Sequence, residues 1–248
     1  MRGSRGYKEA IIFNWLGATT LLPPRTHRMM FQLGTRFLFF EVDVLEPTLN
    51  DLLAYAERTD AGNAELECNK VVNKFLLDYF THNPVGGIEQ GAILFPRELI
   101  EQIVRWALFL VKARSEIKYE KENGEWEPIA AMRPEGAHKV INYFKELATG
   151  QALIHDRKEI NSKDMEIVSH IAISSTPGHL RPIVKGLRKH DSVTSKEGEK
   201  LCAKSRPTVR NYFRELEILG LVKLTKGSAS TNNPDVVRLA EDYTWLKV

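Results

Sequence analysis

The hydrophobic pattern changes period along the chain, and those changes outline its elements. Residues 10–16 (AIIFNWL) and 37–44 (FLFFEVDV) are short apolar runs rich in aromatic and β-branched side chains, and both predict strands. Between them Pro23-Pro24 breaks the chain, residues 25–32 follow as a short helix, and Gly34 ends it. Strand, helix, strand implies parallel strands joined by a crossover, the unit of an α/β sheet. Two strands do not make a stable domain by themselves. They are expected to pair with strands outside this chain, or to belong to an incomplete N-terminal region.

From 48 to 177 the period is helical. Residues 48–58 and 64–82 predict amphipathic helices, 83–91 a loop around Pro84 and Gly86-Gly87, and Phe95-Pro96 the opening of a helix running to about residue 117. Trp106, Phe109 and Leu110 fall on its buried face. Residues 119–134 form a charged excursion with a hairpin turn at Asn123-Gly124. Helices return at 134–152 and 161–174, the second capped by Asn161 or Ser162. Pro177-Gly178 is the expected domain boundary.

Beyond it, residues 179–190 predict a helix with Leu180, Ile183, Val184 and Leu187 on one face. A second helix covers 195–204. Ser205 caps a third, whose first turn holds Pro207, where the missing N–H has no consequence, and Gly220 ends it. Residues 221–225 and 235–240 read as two strands around a tip at 226–234 rich in Gly, Ser and Asn. On the third helix Val209, Phe213 and Leu216 form an apolar back at i, i+4, i+7, while Arg206, Thr208, Arg210, Asn211 and Arg214 project away from it. Arginine can hydrogen-bond guanine or phosphate, asparagine can pair with adenine, and threonine reaches base edges or phosphate. The run SRPTVRNYFRELEILGLV (205–222) resembles the recognition helix and first wing strand of winged-helix proteins. That resemblance implies that Thr208, Arg210 and Asn211 face DNA bases and that Lys226 lies in the wing. The alternative is a winged helix that meets only protein partners, its basic residues forming a solvated face.

Charge sharpens this picture. The whole chain carries +3, but residues 180–226 hold 12 Lys/Arg against 5 Asp/Glu, a local balance of +7 that leaves −4 for the rest. Basic charge gathered in one segment suits a polyanion such as duplex DNA. With 43% apolar and 27% charged residues the composition is that of a globular chain. No membrane is expected, since the run at 103–111 is interrupted by Arg105 and falls short of the ~18 residues a spanning helix needs. Cys68 and Cys202 lie far apart without metal-ligand spacing, so two buried thiols in a reducing, cytoplasmic setting are expected. Neither H-x-x-x-H, H-E-x-x-H nor G-x-S-x-G occurs, and no metal site is expected. The Glu197/Glu199 pair reads as part of a solvated face.

The N-terminal runs carry a second resemblance. FNWLGATT (13–20) followed by LGTRFLFFEV (33–42) resembles the second half of an AAA+ ATPase core, most nearly that of minichromosome-maintenance helicases. In that likeness Thr19 stands at the polar sensor 1 position and Arg36 at the arginine finger, where a guanidinium stabilises charge on a neighbouring subunit's nucleotide. Either residue also has a plain structural reading: Thr19-Thr20 as a helix cap, Arg36 as an ordinary paired arginine. Residues 134–172 resemble the AAA+ helical lid, with His138-Lys139 at the nucleotide-contacting position where an arginine is expected.

The implied fold is mainly α with small β: a partial α/β, P-loop-type core at 1–47, a helical lid-like domain at 48–177 and a winged-helix DNA-binding domain at 178–248. No G-x-x-x-x-G-K-[ST] loop or Mg²⁺-binding acidic pair is present, so the chain alone is not a self-sufficient ATPase; ATP and Mg²⁺ would belong to a complete one. The expected function is therefore that of the C-terminal portion of an AAA+-type DNA motor or loader, forming a homo-oligomeric ring and binding double-stranded DNA. The alternative is a transcriptional regulator, dimeric, with a helical sensing or dimerisation domain.

Overall fold

A computed structural model describes residues 37–42, 47–57, 61–82, 93–122, 124–134, 136–227 and 233–247. The run at 10–16, the helix at 25–32 and the loop at 83–91 lie outside them. Mainly helical with two small antiparallel sheets, the structure matches the coarse expectation from the sequence. Among the described residues no helix is long and apolar enough to cross a membrane.

Helices α1 (Leu49–Glu57) and α2 (Ala61–His82) form where the apolar period places them. Thr48 starts α1 through reciprocal bonds: its hydroxyl accepts from the Asp51 N–H at 3.2 Å, and its own N–H donates to Asp51 Oδ2 at 2.8 Å. α1 buries none of its residues, and Leu52, Leu53, Val71, Phe75 and Phe80 on the two helices are exposed. Cys68 is exposed and Cys202 half-buried, which corrects the expectation of two buried thiols.

Three helices make the first part of the core: α3 (Arg97–Ala113), α4 (His138–Ile154) and α5 (Asp164–Ser174). α3 turns Ile103, Trp106, Phe109 and Leu110 inward. It ends at Ala113, short of the expected residue 117, because Ile117 already belongs to a strand. α4 presents Val140, Phe144, Ala148 and Ala152 at steps of four, the small residues allowing close helix contact. Between α3 and α4 stands the expected hairpin, β1 (Ile117–Glu122) and β2 (Glu125–Ala131), antiparallel and turning through Gly124 at φ +90°.

The start of α5 differs from expectation. Neither Asn161 nor Ser162 is its cap; Lys163 occupies that position. Asn161 Oδ1 accepts from the Lys163 N–H at 3.0 Å, and Asp164 Oδ2 accepts from the Asn161 N–H at 2.8 Å. Asp164, 1% exposed, is also gripped by both Arg157 terminal nitrogens at 2.5 and 2.6 Å.

The predicted strand at 37–44 is not one over its described part. Residues 37–42 run without regular pairing and are held by side chains instead. Ser175 Oγ accepts from the Phe39 N–H at 2.8 Å, Arg114 donates to the Phe37 carbonyl at 2.9 Å, and the Glu41 carbonyl accepts from His170 at 2.7 Å. The Glu41 carboxylate meets Arg181 at 2.6 Å and Lys185 at 3.1 Å.

After Pro177-Gly178 come α6 (Arg181–Lys189), β3 (Val193–Thr194), α7 (Ser195–Cys202), α8 (Arg206–Ile218), β4 (Val222–Thr225) and β5 (Val236–Leu239). β5 lies central in a three-stranded antiparallel sheet of order β3-β5-β4; the sequence pattern predicts β4 and β5 but not the two-residue β3. A 3-10 helix at Glu241–Leu246 then folds back onto α3. Trp245 meets Trp106 edge-on at 4.9 Å, Tyr243 meets Phe109 at 6.2 Å, and the Arg188 guanidinium lies over Trp106. One buried apolar cluster therefore runs from Ile93 through both halves to Leu246, across Pro177-Gly178.

Asp164 supplies a pH test. Burial pushes its carboxyl up, but the Arg157 hydrogen bonds and the Asn161 N–H outweigh that and hold it below its ordinary value. A carboxyl depressed on folding contributes stability above its unfolded pKa and loses it as pH falls through the folded one. Urea midpoints should thus drop as pH falls below the usual carboxylate range. Asp164→Asn should show a shallower acid decline and a lower midpoint at neutral pH.

Candidate nucleic-acid interface

The geometry of α8 is set from behind. Val209, Phe213 and Leu216 have no exposed surface, and Leu219 and Leu221 continue the burial past the helix end. α7 crosses this back at Gly198, where an added Cβ would stand 2.6 Å from Val209 Cγ1 and 3.4 Å from Phe213. The two helices approach closely because that side chain is missing.

Each helix end is defined locally. Thr194 caps α7, its hydroxyl accepting from the Glu197 N–H at 3.2 Å while Glu197 accepts from the Thr194 N–H at 2.8 Å. Glu197 is therefore a capping residue and not an idle member of a solvated face. Ala203, at φ 48°, makes the left-handed turn between α7 and α8. Ser205 occupies the α8 cap position as expected, yet its hydroxyl meets Thr208 Oγ1 at 3.0 Å and makes no capping bond. Gly220, at φ +64°, closes α8: its N–H donates to the Glu217 carbonyl at 2.7 Å, and the Leu221 N–H to Leu216 at 3.0 Å.

With its back buried, α8 directs the predicted contact residues outward. Arg206 and Arg210 are exposed, and Thr208, Asn211 and Arg214 are half-buried. Arg206, Arg210 and Arg214 fall on one stripe at successive steps of four. Lys226 follows the last residue of β4 and is exposed, beside a tip whose residues 228–232 lie outside the described ones.

The local excess of basic charge does not leave these arginines unpaired. Arg206 pairs with Glu199 of α7 at 3.1 Å, Arg210 with Asp235 before β5 at 2.8 Å, and Arg214 with Glu127 of β2 at 2.8 Å. Glu199 is thus a partner of the basic stripe and not a plain surface acid. These three carboxylates lie outside α8 at three separate places in the chain, and the distant Glu127 leaves no signal in the local sequence. At the rear, buried Glu215 is bound by His179 Nε2 at 2.8 Å, and the His179 ring lies 5.0 Å from that of Tyr212.

The other predicted site residues are not gathered at this helix. His138 and Lys139 are in the first turn of α4, and both are exposed. An open cleft at the far end of that helix is lined by Gln151, His155, Lys163 and Glu166, with Arg157 already committed to Asp164. Thr19 and Arg36 lie outside the described residues. Among the described residues no group of three or more His, Cys, Asp or Glu side chains is arranged to hold a metal.

The α7–α8 seam should respond to single atoms. Gly198→Ala is expected to cost ~1–3 kcal/mol by overpacking, and Leu216→Ala ~2–5 kcal/mol by cavity formation, both measured by denaturant unfolding. No protein family, curated protein or solved structure matches the chain.

Proposed function

We propose that residues 178–248 are a winged-helix module that binds duplex DNA, with α8 as its recognition helix and β4–β5 as its wing. The observation that carries this reading is the two-sidedness of α8: Val209, Phe213 and Leu216 wholly buried, Arg206 and Arg210 exposed on the other side. A helix held by its apolar back and presenting a basic front is what the major groove accepts. The order helix, short strand, helix, helix, strand, strand and the local balance of +7 support it. Thr208 and Asn211 would read base edges; Arg206, Arg210, Arg214 and Lys226 would bind phosphate or guanine.

In the wider proposal this module ends an AAA+-type DNA motor or loader, assembled as a homo-oligomeric ring. One feature favours it over a dimeric regulator. The segment following Arg36 is tied to the first helix of the module, through Glu41 to Arg181 and Lys185. A finger at Arg36 would thereby be mechanically joined to the DNA-binding part. The chain has no phosphate-binding loop, so the groups that bind the nucleotide and its Mg²⁺ and carry the hydrolytic step would come from other polypeptide segments of the motor.

Fluorescence anisotropy of a labelled duplex against salt concentration tests the reading. Binding should weaken steeply as salt rises, and Arg206→Ala/Arg210→Ala should weaken it further with a shallower salt slope. Arg36→Ala should leave the affinity unchanged. Absence of binding at low salt would overturn the DNA-binding proposal.

A further inference from the structure

The three carboxylates on the arginine stripe of α8 are not equivalent. Glu199 and Asp235 belong to the elements that build α8's own surroundings, and neither can leave without disturbing α7 or the sheet. Glu127 comes from the hairpin β1–β2, which the sequence places far upstream. The hairpin leans on α8 through β2, while Glu120, Lys121, Trp126 and Ile129 on it are exposed. Its root is fixed by a bond from the Met132 N–H to the Glu116 carbonyl at 2.7 Å.

Within the hairpin Glu120 stands directly across from Glu127. Like charges in that register repel, and the Arg214 guanidinium at 2.8 Å relieves the repulsion. Both members of the pair keep about a third of their surface in water: 35% for Arg214 and 33% for Glu127. An ion pair so exposed is weak and exchangeable. A phosphate diester offers Arg214 anionic oxygens that can take the place of the Glu127 carboxylate.

We propose that the β1–β2 hairpin is an intramolecular occupant of the basic face of α8, its Glu127 carboxylate holding the place of a DNA phosphate on Arg214. The proposal rests on the DNA-binding reading. Duplex DNA must displace this carboxylate, so the hairpin lowers affinity and withdraws Arg214 from weak, non-specific encounters. Arg214 becomes available when the hairpin moves aside.

A double-mutant cycle on the full chain tests this, with duplex affinity at low salt as readout. Glu127→Gln keeps the shape of the side chain and should tighten binding about 2–5-fold, the factor an exposed ion pair is worth. Glu146→Gln on α4 makes the same change of charge elsewhere and should give a distinctly smaller effect. Arg214→Ala should cost little in wild type and more in the Glu127→Gln background. If Glu127→Gln acts no more strongly than Glu146→Gln, or the effects of Glu127→Gln and Arg214→Ala simply add, the hairpin is not a competitor, although the DNA-binding reading stands. If neither wild type nor Glu127→Gln binds duplex at low salt, both proposals fall.

Discussion

Burial of the apolar back of α8 is the constraint on which the rest of the C-terminal half depends. Val209, Phe213 and Leu216 fill the space beneath α7, and the bare Cα of Gly198 lets the two helices meet there. Turning α8 about its axis would expose these side chains and bury arginine in their place, which is far more costly than any single contact on the outer face. The outward direction of Arg206, Arg210 and Arg214 thus follows from packing and needs no ligand to impose it. The Schellman turn at Gly220 sets where the helix stops and so where β4 begins.

Electrostatics then act on a face whose geometry is already fixed. The segment is strongly basic as a whole, but its most prominent arginines do not stand bare: Glu199, Asp235 and Glu127 each pair with one. Net charge counted along the sequence therefore overstates the field at the helix surface. The same economy appears on the opposite side, where Glu215 is buried against His179.

Much of this is legible in the sequence, for reasons that differ between elements. The helices α3 to α8, the hairpin at Gly124 and the stop at Gly220 follow from local period and turn chemistry, and they appear within a few residues of their expected bounds. The apolar stripe of α8 is readable because the same residues define the helix and its burial. The segment at 37–42 misleads because aromatic and β-branched content favours a strand only where another strand pairs with it; in the fold Ser175, Arg114 and His170 satisfy its backbone from the side, and none of its residues is fully buried. The two-residue β3 is too short to leave a period. The pairing of Arg214 with Glu127 depends on how the hairpin is placed in space, which no local pattern encodes.

The aromatic contacts between α3 and the 3-10 helix have a consequence for the order of assembly. Trp106 and Trp245 are far apart along the chain, yet their rings meet at the junction of the two halves of one core. Contacts of such long sequence separation form late, because the closure entropy of the intervening loop must first be overcome by other packing. During synthesis Trp106 leaves the ribosome long before its partner exists, so α3 spends that interval with an unsheathed aromatic face. Until the 3-10 helix docks, this part of the core lacks its aromatic cover.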